Sequence, residues 1–259
     1  MLVAFPLFFI LHLLLEEVEA QRILMLGYVK WWAATWGFLS GFKMEVVKNS
    51  NVRKDEAYVF VGNHNSNLDA MLWVYATDNL FKGLAKKELL SVPVLGYLFK
   101  KTCIIVDRSD KESRRKSIDK MKEEMKRGIS IYIYPEGTRN KTDKPLQPFR
   151  DGAFRMAIDL QKPLVPVVML NTKTLMPGSW KLFTPGTVKC IFMDPIPTEG
   201  LSELYLDELK SKVFSLMEGV VVKNDNRLKD SEDITTGSGG KLVKRLDEQT
   251  RTRNPEGSG

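Results

Sequence analysis

The chain has 259 residues, 43% of them hydrophobic, which is enough to bury one good-sized core and rules out disorder of the whole. Its formal charge of +7 is concentrated in the middle, where residues 81–155 carry nineteen Lys and Arg against ten Asp and Glu. A basic centre of this kind suits phosphates on nucleic acid, on a membrane surface or on a small ligand, although part of it reads as a solvated helix face.

The N-terminus is apolar from Met1 to Leu15 with His12 as an interruption, and then turns acidic. Without a basic leader or a small-residue cleavage site it does not read as a signal peptide. Fifteen helical residues span only ~22 Å, short of a ~30 Å hydrocarbon core. A second apolar run, Ile23 to Phe42, has the length but carries Lys30 beside Trp31, Trp32 and Trp36. These features predict a two-helix element, 1–45, that dips into one leaflet with its tryptophans at headgroup level and the Lys30 ammonium turned outward. Core helices and a spanning hairpin are the alternatives.

From Glu56 the pattern changes. The runs "AYVFVG", "CIIVD", "SIYIY", "LVPVVML" and "TVKCIFM" read as strands, and Leu68 to Thr77, Ser113 to Arg127, Gly152 to Leu160 and Ser202 to Met217 as helices. Apolar strands alternating with helices predict an α/β domain over 46–222, with a mostly parallel sheet covered by helices on both faces and ligands collected beyond the strands' carboxyl ends. The polar, glycine-rich stretch 223–259 cannot bury enough surface to fold alone and reads as a flexible tail. Cys103 and Cys190 lie in strand-like runs and suit buried, reduced thiols; neither a disulfide framework nor cysteine–histidine metal spacing is present.

Three stretches carry candidate chemistry. In "VFVGNHNSNLDAMLW", His64 falls in a strand-to-helix loop and Asp69 in the first helical turn, so the loop can fold the imidazole back onto the carboxylate. A carboxylate on one ring nitrogen fixes the tautomer and leaves the other nitrogen as a base. Ser66, between them, reads as a helix cap. In "IYIYPEGTRN" a buried strand runs into a turn bearing Glu136, Gly137, Thr138 and Arg139, where glycine permits close backbone approach and the guanidinium offers a planar fork for phosphate oxygens. In "GLAKKELLSVPVLGYLFKKTCIIVDRSD", Lys86 and Lys87 begin a helix-like segment and Arg108 ends a strand.

Together "NHNSNLD", "AKKELLSVPVLGYLFKKTCIIVDR", "YPEGTR" and "PFRDGAFRMAIDLQKPLVPVVMLN", in that order over about 56–171, resemble the glycerolipid acyltransferase family, in particular its 1-acyl-glycerol-3-phosphate acyltransferases. The resemblance implies that His64 deprotonates an acceptor hydroxyl for direct attack on an acyl thioester, with Asp69 orienting the imidazole. It also implies that Glu136, Gly137, Thr138 and Arg139 help to form the glycerol-phosphate site, with Lys86 and Arg108 as further cations. The implied partners are membrane lipids, lysophosphatidic acid as acceptor and acyl-CoA or acyl carrier protein as co-substrate, with no metal, no other cofactor and no nucleic acid, at the cytoplasmic face of a membrane. Asn67, Tyr134 and the Thr102-Cys103 pair depart from the family pattern without removing a charged group. Transfer to glycerol-3-phosphate or another lysophospholipid, a metal-dependent phosphohydrolase with His64, Asp69 and Glu136 as ligands, and a silent lipid-binding scaffold are the rival readings.

Overall fold

The computed structural model describes residues 23–91, 95–107, 109–178 and 182–224. Seven strands among them form one sheet: β1 (Phe42–Val47), β2 (Val59–Gly62), β3 (Phe81–Lys86), β4 (Cys103–Val106), β5 (Ser130–Ile133), β6 (Leu164–Leu170) and β7 (Gly186–Phe192). Their spatial order is β1-β7-β6-β2-β5-β3-β4. Strands β2 to β6 run parallel, β7 is antiparallel to β6, and β1 is parallel to β7. The helices are α1 (Lys30–Leu39, preceded by a π-helical segment Ile23–Val29), α2 (Leu68–Ala76), α3 (Leu95–Thr102), α4 (Lys111–Lys126), α5 (Gly152–Leu160), α6 (Thr172–Leu175) and α7 (Leu206–Asn224).

Successive side chains of β2 point to opposite faces, and each face has its own core. Val59 and Val61 join Met121 and Met125 of α4, Phe154 and Ala157 of α5, and Leu209, Val213 and Met217 of α7. Phe60 turns the other way, toward Ala33 of α1 and Leu68, Leu72 and Trp73 of α2. Strands β2 and β6 are buried along their whole length, as central strands covered on both faces must be. All five strands expected from the sequence are present; of the four expected helices, Gly152–Leu160 forms as expected, two have slightly moved ends, and the last runs from Leu206 to Asn224 in place of Ser202 to Met217.

Two strands were not expected. The segment "FKMEVV" forms β1 at the edge of the sheet, held by parallel pairing from Phe42↔Gly186 to Val47↔Ile191, so the sheet already begins before residue 46. The segment "FKGLAK" forms β3 between β5 and β4, although glycine, alanine and lysine are poor strand formers. Its buried Lys82 meets buried Glu124 of α4 at 2.5 Å, and this pairing makes the ammonium tolerable inside. Lys86 therefore ends a strand and Lys87 opens a 3₁₀ turn, Lys87–Ser91, which corrects the helix-like start expected there.

Lys30 also differs from expectation. Its ammonium turns inward to donate to the Thr77 carbonyl at 2.9 Å and to Asp78 at 2.6 Å, just beyond the C-terminal end of α2. Burial pushes the Asp78 carboxyl up, but hydrogen bonds from Lys30 and Lys48 outweigh it and hold the group at about 2. Trp32 and Trp36 pack against the α2-side core, whereas Trp31 is exposed. No helix among the described residues is long and apolar enough to cross a membrane. Residues 1–22 of the expected two-helix element and 225–259 of the expected tail lie outside the described residues, while Lys223 and Asn224 complete α7. Cys103 on β4 and Cys190 on β7 stand toward opposite sides of the sheet, and both are free thiols.

Candidate active site

Strands β2, β5 and β6 are adjacent and parallel, so the segments that follow them emerge at one carboxyl edge. The chain leaves β2 toward β3 on one side and later crosses to β6 on the other, making β2 the strand about which the order reverses. Parallel sheets open a crevice at such a point. The segment after β2 supplies His64, and the segment after β5 supplies Tyr134 through Asn140. Asn63 carries the pairing one residue further: its side-chain amide donates to the Met169 carbonyl at 2.9 Å and its carbonyl accepts from the Met169 amide at 2.7 Å. This two-way bond closes the start of the loop onto β6.

His64 is held at every polar point of its backbone and at one ring nitrogen. Its amide donates to Glu136 Oε1 at 2.8 Å, and its carbonyl accepts from the Asn140 amide at 2.6 Å. Its Nδ1 lies 2.8 Å from Asp69 Oδ2, and because the partner is a carboxylate this nitrogen is the donor, leaving Nε2 as the acceptor. The ring stacks on Tyr134 with centroids 3.9 Å apart and planes 16° apart. About a fifth of the side chain, 21%, remains open to solvent.

Asp69 is fully buried, at the start of α2. The same Oδ2 accepts from the Asn65 amide at 2.6 Å and from the Ser66 amide at 2.7 Å. Consecutive backbone amides turned onto one oxygen, next to a helix N-terminus, favour negative charge there. The N-cap of α2 is Asn67, not Ser66; the Ser66 hydroxyl instead accepts from the Leu68 amide at 3.1 Å and donates to the Met176 carbonyl at 2.6 Å, tying the loop to the segment beyond α6.

Glu136 faces inward rather than toward the opening. It is buried, and its second oxygen accepts from the Gln147 amide at 3.0 Å, so one carboxyl joins the β2 loop to the segment before α5. Burial pushes its pKa up to about 7 despite these two amide donors. Gly137 has φ +75°, and a Cβ there would lie 2.6 Å from Arg150 Nε, so any other residue would be strained and would displace that guanidinium. Thr138 is exposed, and Arg139 is partly exposed with one long bond, 3.3 Å, from Nη1 to the Gly178 carbonyl. Lys86 is exposed at the end of β3, which is separated from β2 by β5, or about 10 Å at the usual strand spacing. Arg108 lies outside the described residues. The loops thus bring His64, Asp69 and Glu136 into direct contact, with Arg139 on the same turn and Lys86 farther along the edge.

Residues 43–170 match the family model described as Acyltransferase. A 1-acyl-sn-glycerol-3-phosphate acyltransferase from Haemophilus influenzae is 30% identical over 206 residues, covering 78% of this chain and 84% of that protein. The chain belongs to the acyltransferase family. The human 1-acyl-sn-glycerol-3-phosphate acyltransferase beta is also 30% identical, over 68% of this chain and 64% of its own length. The fold matches the crystal structure of the 1-acyl-sn-glycerophosphate acyltransferase from Thermotoga maritima with a TM-score of 0.68 at 24% identity, over 83% of this chain and 85% of that one.

This acyltransferase also uses residues that the sequence did not single out. Asn63, Asn140 and Gln147 are polar groups that close the site's backbone; the Gln147 side chain donates to the Arg139 carbonyl at 3.1 Å, and the Asn140 side chain accepts from the Thr142 amide at 2.9 Å. The available signal was a lone polar residue directly after an apolar strand in "VFVGN", and another between prolines in "PLQPF". Lys173 adds a cation on α6, donating to the Thr142 carbonyl at 2.6 Å. Among the described residues, no group of three or more His, Cys, Asp or Glu is placed to hold a metal ion.

Proposed function

We propose that this acyltransferase moves an acyl chain from the thioester of acyl-CoA or acyl carrier protein to the sn-2 hydroxyl of 1-acyl-glycerol-3-phosphate, producing phosphatidic acid for phospholipid synthesis. The observation that carries the reading is the His64–Asp69 pair, in which a buried carboxylate 2.8 Å from Nδ1 keeps Nε2 free to take a proton at a partly open rim. His64 Nε2 removes the acceptor's hydroxyl proton as the oxygen attacks the thioester carbon. The C–S bond then breaks, and the imidazolium returns the proton to the departing thiolate. Asp69 supports the imidazolium in between. A thioester is already activated, so general-base help and positioned cations suffice for the step without a covalent enzyme intermediate.

The remaining assignments follow from chemistry at the rim. Arg139 is the group suited to grip the acceptor's phosphate, with Lys86 and Arg108 as further cations; Glu136, with both oxygens on backbone amides, acts by holding the His64 loop. Trp31, Phe38, Leu39, Leu182 and Phe183 are exposed, and Phe183 packs on Trp36 and Phe42 with centroids 6.5 and 5.6 Å away. An exposed apolar group beside α1 suits contact with a lipid surface and favours a lipid acceptor over glycerol-3-phosphate. The test is acyl transfer by the purified chain in detergent, offering glycerol-3-phosphate, lysophosphatidic acid and lysophosphatidylcholine with each thioester donor. Lysophosphatidic acid should be preferred; preference for glycerol-3-phosphate, or silence with every pair, would defeat the assignment.

A further inference from the structure

Behind the His64–Asp69 pair lies a set of buried polar atoms that the proposed chemistry does not yet use. Asp69 Oδ2 accepts three hydrogen bonds, while its other oxygen, Oδ1, is buried and makes none to any described residue. The hydroxyls of Tyr132 and Tyr134 are also buried; the two interact with one another, and both feel the Asp69 charge. Leaving a buried carboxylate oxygen without a partner costs about 1–3 kcal/mol, more for a charged group, unless a neighbouring donor serves it.

The rings behind the pair are fixed by stacking. Tyr134 lies flat on His64, Tyr132 meets Tyr134 edge to face with centroids 4.9 Å apart, and Trp73 stacks on Tyr132 at 4.1 Å with planes 15° apart. On the opposite side, β2 places Gly62 against the Tyr132 hydroxyl, and a Cβ at that position would run into the oxygen. The glycine therefore keeps room for a polar tip in an otherwise apolar wall. Tyr132 is nearly fully buried, and neither hydroxyl oxygen reaches solvent.

We propose that Tyr134 is a positioning residue whose phenol serves the free oxygen of Asp69 as a hydrogen-bond donor through one bridging water, with Tyr132 behind it as the next donor in the chain. The stacked Tyr134 ring then fixes the plane of the imidazole while its hydroxyl fixes the carboxylate that orients it, two constraints from one side chain. Burial pushes both phenols well above their ordinary pKa, and the Asp69 charge pushes the same way, so each keeps its proton to donate. This inference deepens the acyl-transfer reading and rests on it for its kinetic consequence.

The experiment is Tyr134→Phe, which keeps the stacked ring and removes only the hydroxyl, with Tyr132→Phe and the double variant beside it. The chain contains two histidines, so the downfield Nδ1–H proton signal of His64 can be assigned as the one missing from His64→Ala. In Tyr134→Phe that signal should move, and kcat should fall about tenfold, as for loss of one hydrogen bond to a charged group, while the lysophosphatidic acid KM stays within about twofold. Tyr132→Phe should act in the same direction but less, and the double variant should resemble Tyr134→Phe, because groups in one chain do not add. An unmoved signal in Tyr134→Phe overturns the inference whatever the rates do, as does a KM rise with unchanged kcat. A moved signal in a protein inactive on every acceptor would leave the hydrogen-bond assignment standing and defeat the acyl-transfer reading instead.

Discussion

The two sides of the candidate site are built by opposite means. On one side, His64 is fixed through its amide, its carbonyl, one ring nitrogen and a stacked ring, and its partner Asp69 is sealed in the core. On the other, the Arg139 side chain makes one 3.3 Å bond among the described residues and Lys86 is exposed. A proton-transfer group gains from being set before the substrate arrives, since misplacement by about 1 Å can cost about 10²-fold. An anion-binding group can be ordered by the phosphate itself, because Coulomb attraction falls slowly with distance and tolerates a mobile partner. On the proposed assignment, the difference teaches that the number of contacts fixing each group tracks the step it would serve and not its distance from the opening.

If that comparison holds, variants on the fixed side should change turnover and those on the open side should change binding. The largest effect is expected from His64→Ala, which should cut kcat by about 10²–10⁴-fold while the thermal melting temperature barely changes. Asp69→Asn should follow, with kcat down by about 10²-fold as the imidazolium loses its counter-charge. Steady-state rates beside a melting curve check both, and a normal rate in His64→Ala would end the mechanism.

The Glu136 clamp sharpens the comparison through pH. Its pKa in the folded chain is pushed up to about 7 from an ordinary 4.5, so across that window the folded protein keeps a proton that the unfolded chain has already released. Stability should therefore fall as pH rises from about 4.5 to about 7, by up to about 3 kcal/mol from this group alone. Glu136→Gln should flatten that slope, and should also slow turnover because one of the two amides at His64 and Gln147 loses its acceptor. Denaturant midpoints at pH 5 and pH 7.5 for both proteins provide the check. A slope that survives in Glu136→Gln would assign it to another group.

The smallest effect belongs to the open side. Arg139→Lys keeps the charge and loses the planar fork, so it should weaken binding of lysophosphatidic acid by about 1–3 kcal/mol, visible as a raised acceptor KM beside unchanged donor KM and kcat. A fall in kcat without a change in KM would place Arg139 among the turnover groups and break the comparison.

Much of this could be read in the sequence, and the parts that could not have physical reasons. Strands β2, β5 and β6 announced themselves because buried parallel strands must be apolar throughout, and the His64–Asp69 contact was legible because both residues lie within one loop and helix start. Strand β3 was hidden: "FKGLAK" has little local preference for extension, and its Lys82 is tolerable only because Glu124, 42 residues away, meets it. Strand β1 was hidden by the apolar run before it and exists through pairing with residues 186–191. Glu136 read as a substrate group because its neighbours Gly137 and Arg139 are turn residues, and nothing local reveals that its two oxygens are engaged by amides at positions 64 and 147. Local chemistry and burial were legible, and long-range partners were not.

The bond between Lys30 and the far end of α2 gives the molecule a fixed scale. Helix α2 has nine residues, about 14 Å at 1.5 Å each, with Asp69 in its first turn and the Lys30 contact just past its last. That contact ties α1, with its exposed Trp31, Phe38 and Leu39, to the end of the helix that begins at the Asp69 carboxylate. On the proposed function, a lipid surface meeting α1 would lie about one α2 length from the His64–Asp69 pair, a separation built into the helix.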